Sequence, residues 1–166
     1  AACTVCGVGR TMKLNTAHVA LKFLAACSLP VEVGIYGTIL DANGCLAPDR
    51  NNPICAPLPV TLNPGIGLWD IGIPIPAGCC IQGAAYLKIS FTREGVACNG
   101  TSGPRPQLLT LAQCGNCTSF NIYQNGTADD LCAFLPGNPI MYVEADCCTA
   151  VPTLPTRWAQ LKAMYR

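Results

Sequence analysis

The amino-acid sequence predicts an all-β fold, a β-sandwich or jelly-roll-like arrangement that is rich in disulfides. Three observations carry that reading. Leu87, Ile89 and Phe91 alternate with Lys88, Ser90 and Thr92, the period of two expected of a strand with one face buried and one in water. Fourteen prolines and sixteen glycines separate short apolar runs of this kind, as turns and sheet edges require. Thirteen cysteines in 166 residues are a disulfide framework rather than ordinary usage.

Residues 1–11 (AACTVCGVGRT) read as an extended N-terminal arm anchored by cysteines, residues 12–151 as the β domain, and residues 152–166 as a C-terminal tail. Met12 to Leu24 is a strand in which two alternating sets compete, Val19, Leu21 and Phe23 against His18, Ala20, Lys22 and Leu24. Val31 to Leu40 is the next strand, with a change of phase across Gly34 and Gly37 that marks a bulge or a close backbone approach. It ends in the turn signal Asp41-Ala42-Asn43-Gly44. Residues 45–58 are rich in proline and asparagine and read as a long loop, for which a Cys45–Cys55 bridge is the simplest clip. Val60 to Leu62 opens a short strand. The stretch from Gly65 to Thr92 then reads as a hairpin, with Leu68 to Ile75 and Leu87 to Phe91 as its arms and Pro76-Ala77-Gly78 as its corner. Leu108 to Leu111, Ser119 to Gln124 and Ile140 to Ala145 complete the strands. The tail offers a short helix from Thr156, with Trp158, Leu161 and Tyr165 on one stripe, or a strand.

Charge is sparse. Ten Lys plus Arg against nine Asp plus Glu leave a net charge of +1, and the basic residues are scattered, so nucleic acid is not an expected partner. The longest apolar candidate, His18 to Tyr36, is interrupted by Lys22, Pro30 and Glu32, and no segment reaches the ~20 clean residues of a membrane helix. A chain that is 51% hydrophobic and 11% charged is expected to cover apolar surface against another subunit.

All thirteen cysteines are disulfide candidates: Cys3, Cys6, Cys27, Cys45, Cys55, Cys79, Cys80, Cys98, Cys114, Cys117, Cys132, Cys147 and Cys148. Their density, in a chain beginning AAC, fits a mature secreted protein at the cell surface or beyond it. The CxxC pairs Cys3–Cys6 and Cys114–Cys117 could also be read as zinc knuckles, or as redox sites. Structural zinc belongs mainly to reducing compartments, and a redox pair needs a thioredoxin-like strand–helix context, so bridges are the expected use. Adjacent cysteines usually send their sulfurs to different partners, which makes Cys79-Cys80 and Cys147-Cys148 expected cross-link hubs. Three N-x-T sequons, at Asn99, Asn116 and Asn125, are candidate glycosylation sites.

Acid–base chemistry is thinly provisioned. His18 is the one histidine, and in an alternating apolar run it reads as a structural residue. Asp129-Asp130 reads as a turn cap, and Asp41-Ala42-Asn43-Gly44 lacks the later ligands of a calcium loop. Neither an enzyme nor a cofactor or metal is expected. Trp69 reads as a core residue, and aromatics are too few to favour a sugar-stacking surface.

The closing residues Trp158, Leu161, Lys162, Tyr165 and Arg166 resemble the W-x-x-[IVL]-K-x-x-[YF]-R tails of a group of secreted, Cys-rich proteins of environmental bacteria, and CCIQGAAYLKISF and YVEADCC look like elements of the same group. That resemblance, over the last hundred residues or so, implies secretion and β structure. In architecture the chain is also similar to subunits of extracellular β-sandwich filaments, which exchange a terminal strand between neighbours. The expected function is therefore a secreted structural subunit that self-assembles into a filament or surface layer by strand addition. Its partners would be other copies of itself, with glycans as a second class. Thr4 to Leu24 and Trp158 to Arg166 are the candidate donor segments, with Val19, Leu21, Phe23, Trp158, Leu161 and Tyr165 as subunit contacts. The alternative is a monomeric carbohydrate- or ligand-binding module.

Overall fold

The computed structural model describes residues 12–76, 79–91, 97–100, 105–123 and 127–147, the side chain of Cys147 excepted. In chain order its strands are β1 (Met12–Phe23), β2 (Leu29–Leu40), β3 (Leu46–Leu62), β4 (Gly67–Pro74), β5 (Cys80–Ile81), β6 (Tyr86–Phe91), β7 (Gln107–Leu108), β8 (Phe120–Ile122), β9 (Ala128–Asp130) and β10 (Met141–Cys147). A 3-10 turn, Leu131–Ala133, follows β9. The fold is all-β and disulfide-rich.

Every ladder is antiparallel, and β1 is the axis of the first sheet. It pairs with β10 and β7 along one side and with β5 and β4 along the other. The second sheet runs β3-β2-β6. Ala17, Val19, Leu21 and Phe23 of β1 meet Leu29, Val31 and Val33 of β2 and Ile73 of β4 in one core. Full burial of a side chain such as Phe23 or Leu29 contributes roughly 1.5–3 kcal/mol. Leu14, Ile35, Cys79 and Ile81 form a second cluster. The boundary between the two is a register shift in β1 between Leu14 and Thr16, which turns inward first an even and then an odd set of residues. The two sets that compete in the sequence lie beyond this bulge, and there Val19, Leu21 and Phe23 are the set turned into the core.

β1 and β2 run in opposite directions, so the sandwich has two distinct poles. Phe23, Leu29 and Gly67 lie at one, and Met12, Leu40 and Cys147 at the other. Gly34 and Gly37 sit where the β2–β3 register shifts. A Cβ at Gly34 would lie 2.6 Å from the Tyr36 ring and one at Gly37 2.7 Å from the Asn52 amide, so both mark close approaches. The turn after β2 is built by Asp41, whose Oδ1 accepts from the backbone N–H of Asn43 (2.9 Å) and Cys45 (2.8 Å), with Gly44 at φ 79°.

Several sequence expectations are corrected. Residues 45–58 are not a loop: from Leu46 they belong to an edge strand that continues to Leu62, with register shifts between Asp49 and Leu58, the stretch that holds Pro53 and Pro57. Gly65 to Thr92 is not a hairpin. β4 and β5 both join β1 while β6 joins β2, so the chain passes from one sheet to the other between Ile81 and Tyr86. Met12 to Phe23 is not a detachable arm, and Val19, Leu21 and Phe23, at 0, 1 and 0% exposure, fill the chain's own core rather than a subunit contact. Trp69 is not core: it is 45% exposed, and its Nε1 donates to the Gly65 carbonyl at 3.0 Å. Residues 1–11 and 152–166, with Trp158, Leu161 and Tyr165, lie outside the described residues.

Candidate functional site

Disulfides make the molecule a stiff block. Cys27–Cys98 closes the core, Cys55–Cys79 ties β3 of the second sheet to the lead-in of β5 in the first, and Cys45–Cys117 and Cys114–Cys132 fasten a satellite formed by β8, β9 and the 3-10 turn. The expected Cys45–Cys55 clip does not form, because the two residues lie far apart along β3 and its lead-in and face different partners. Cys80 is oxidised and buried, and its partner is not Cys79. Cys3, Cys6, Cys148 and the side chain of Cys147 lie outside the described residues.

In the satellite, Asp130 accepts from the backbone N–H of Cys117 (2.7 Å) and of Cys132 (2.9 Å). The first bond holds Cys117 at a φ of 63°, a region that side chains with a Cβ seldom adopt. Tyr86 joins satellite to sheet: its hydroxyl donates to the carbonyls of Leu46 (2.6 Å) and Cys117 (3.1 Å), and its ring meets Phe120 edge-on at 5.7 Å. Burial, followed by the charge of Asp130, raises the Tyr86 phenol above its ordinary pKa. Of the sequons, Asn116 is exposed and Asn99 carries a buried Oδ1 without a hydrogen bond, while Asn125 lies outside the described residues.

Two surface features bear on function. The first is the distribution of exposed aliphatic residues. Leu24, Ile66 and Leu68 are 40, 71 and 67% exposed and gather where β1 ends and β4 begins. Ile39, Leu40 and Leu46, at 53, 66 and 49%, gather at the β2–β3 turn, which is the opposite pole. Among the described residues β4 pairs only with β1, so its outer edge presents unpaired backbone N–H and C=O groups beside Leu68.

The second feature lies on the outer face of the β10-β1-β4 sheet. Antiparallel register sets His18 of β1 between Tyr142 of β10 and Gly72 of β4. The imidazole stacks on the Tyr142 ring at 4.4 Å between centroids and 7° between planes. Asp70 holds both rings. Its Oδ2 accepts the Tyr142 hydroxyl at 2.6 Å, and its Oδ1 lies 3.3 Å from His18 Nδ1. Glu144 Oε1 stands 3.5 Å from His18 Nε2, a buried atom that makes no hydrogen bond. The absence of a side chain at Gly72 leaves space for the ring, since a Cβ there would lie 3.1 Å from His18 Cε1. The hydrogen bond to Asp70 first, then burial and the charges of Asp70 and Glu144, raise the Tyr142 phenol, which therefore stays a donor.

Among the described residues no group of three or more His, Cys, Asp or Glu is arranged to hold a metal ion, and no helix is long and apolar enough to cross a membrane. Comparison with protein-family models, with curated proteins and with solved structures yields no match to this chain. Sequence reasoning singled out His18 but missed Asp70, Gly72, Tyr142 and Glu144. The available signal was the i, i+2 spacing of Asp70 with Gly72 and of Tyr142 with Glu144, which becomes a cluster only once β4 and β10 are known to flank β1.

Proposed function

We propose that this chain is a secreted structural subunit that assembles with copies of itself into an extracellular filament or surface layer. The supporting observation is the pair of unlike apolar poles, Leu24, Ile66 and Leu68 at one and Ile39, Leu40 and Leu46 at the other. A contact between two different patches is heterologous, and repeated without closure it builds a fibre. The joining step is strand addition along the free edge of β4, where an extended segment of a neighbour completes the hydrogen-bond ladder and covers Leu68. Residues 148–166 are the donor in this reading, since Cys147 ends β10 at the pole opposite Gly67. Those nineteen residues, fully extended, span roughly 60 Å, against roughly 26 Å for the eight of β4. The disulfides among the described residues fit an oxidising compartment and a rigid building block.

Size-exclusion chromatography with light scattering, followed by negative-stain microscopy, tests this. The wild-type chain is expected to form open-ended polymers, and Leu68→Lys or Leu40→Lys to release 17.4 kDa monomers. Mixed together, the two variants are expected to give dimers, because each keeps one intact pole. A wild-type protein that stays monodisperse at 17.4 kDa at high concentration overturns the proposal.

A further inference from the structure

We infer that the outer face of the β10-β1-β4 sheet is a saccharide-binding platform centred on Tyr142, taking a neutral pyranose unit. The inference does not rest on self-assembly: Tyr142, the stacking face, and Glu144 are on β10, across β1 from the open edge of β4, and Asp70 is the one member on β4 itself. Sugar recognition needs a flat aromatic face to meet the C–H face of the ring, and fixed acceptors at its margin for the hydroxyls. Tyr142 supplies the first. It is 45% exposed although one face of its ring is taken by His18, so the exposure belongs to the opposite face and the rim.

Orientation is prepaid in structural terms by contacts that already exist. The Asp70 bond of 2.6 Å fixes the phenol, the 7° stack fixes the ring plane, and Gly72 lets His18 lie flat beneath it. A preorganised aromatic plane loses little entropy on binding, which is where weak sugar sites gain affinity. Acceptors are present on both sides: the side chains of Asp70 and Glu144 are 51 and 61% exposed. Asp70 faces Tyr142 with one oxygen and His18 with the other, Glu144 faces His18 with one, and both carboxylates keep lone pairs free for ligand hydroxyls. Two carboxylates at the rim repel an anionic sugar, which selects the neutral class. His18 is a positioning residue here, since its Nε2 is buried and does not reach a ligand.

Isothermal calorimetry with cellohexaose, maltohexaose and chitohexaose tests the inference and works on monomer or polymer alike. At least one of the three is expected to bind with millimolar or tighter affinity. Tyr142→Ala is expected to weaken it at least tenfold, Glu144→Gln by a smaller factor, and Tyr142→Phe least, because it keeps the stacking face. Circular dichroism on each variant separates loss of binding from loss of fold. Absence of heat with all three sugars, or equal affinity in wild type and a folded Tyr142→Ala, overturns the inference.

Discussion

Removing the Cys27–Cys98 bridge by the double substitution Cys27→Ala and Cys98→Ala tests how the core is held. Cys98 is fully buried and belongs to the same cluster as Phe23 and Leu29, and its carbonyl accepts from Leu24 (3.0 Å) and Ala25 (3.2 Å). The bridge spans 71 residues, for which loop-closure entropy in the unfolded chain amounts to about 4 kcal/mol. Cys45–Cys117 overlaps this loop and, while intact, shortens the route between the two residues to roughly 37, which changes the logarithm little and leaves the term near ~4 kcal/mol. Truncating buried sulfur adds about 1 kcal/mol. A total near ~5 kcal/mol is a large share of a typical domain's 5–15 kcal/mol. It corresponds to a melting point lower by about 10–20 °C. Guanidinium denaturation without reductant, paired with calorimetry, measures both. Cys114→Ala with Cys132→Ala provides the comparison: its 18-residue span predicts about 3 kcal/mol, confined to the satellite. A core variant that loses under about 1 kcal/mol, or less than the satellite variant, refutes the reasoning.

Asp70→Ala removes the hydrogen bond and the charge that raise the Tyr142 phenol, so absorbance at 295 nm should show one tyrosine titrating closer to the ordinary value of 10.0. The sign for stability follows: a phenol whose folded pKa is raised contributes stability that is complete below pH 10 and is lost as pH climbs through the folded value, so the variant should lack that part of the alkaline loss. Asp130→Ala deprives the Cys117 and Cys132 amides of their acceptor and should cost about 2 kcal/mol, with faster hydrogen exchange at both. Gly137→Ala drives a Cβ into the Leu111 carbonyl oxygen, so it should destabilise by several kcal/mol in thermal melts, roughly 3 or more.

The fold class was legible because alternation, turn residues and cysteines all depend on local sequence. Pairing was not, because it depends on which strand arrives beside which. Pro74 and Tyr86 are separated by enough chain to cross from one sheet to the other, and the alternation of Leu87 to Phe91 is the same whichever neighbour the strand finds. The bulge near Asn15 left no trace in the alternation of residues 18–24, and only the register with β10 shows that it turns Leu14 inward before Ala17 and Val19. In β3 the prolines that mimic a loop are compatible with a strand because, among the described residues, that strand has a neighbour on one side alone.

The edges themselves bear on function. β3 carries four prolines, Pro48, Pro53, Pro57 and Pro59, along a ladder with a single neighbour among the described residues, which blunts it against pairing with another chain. β4 has one, Pro74, at its last position, and its remaining seven residues include Leu68 at 67% exposure and one charge, Asp70. Asp70 is itself engaged with Tyr142 and His18 on the sheet face, so it does little to repel an incoming strand along the edge. Among the described residues one edge is blunted and the other is not, and the proposed assembly would use that difference to meet one partner and avoid others. The sparse charge seen in the composition indicated apolar surface somewhere on the molecule. Its concentration at the start of β4 and at the opposite β2–β3 turn gives that surface a direction, and a direction is what an open-ended assembly requires.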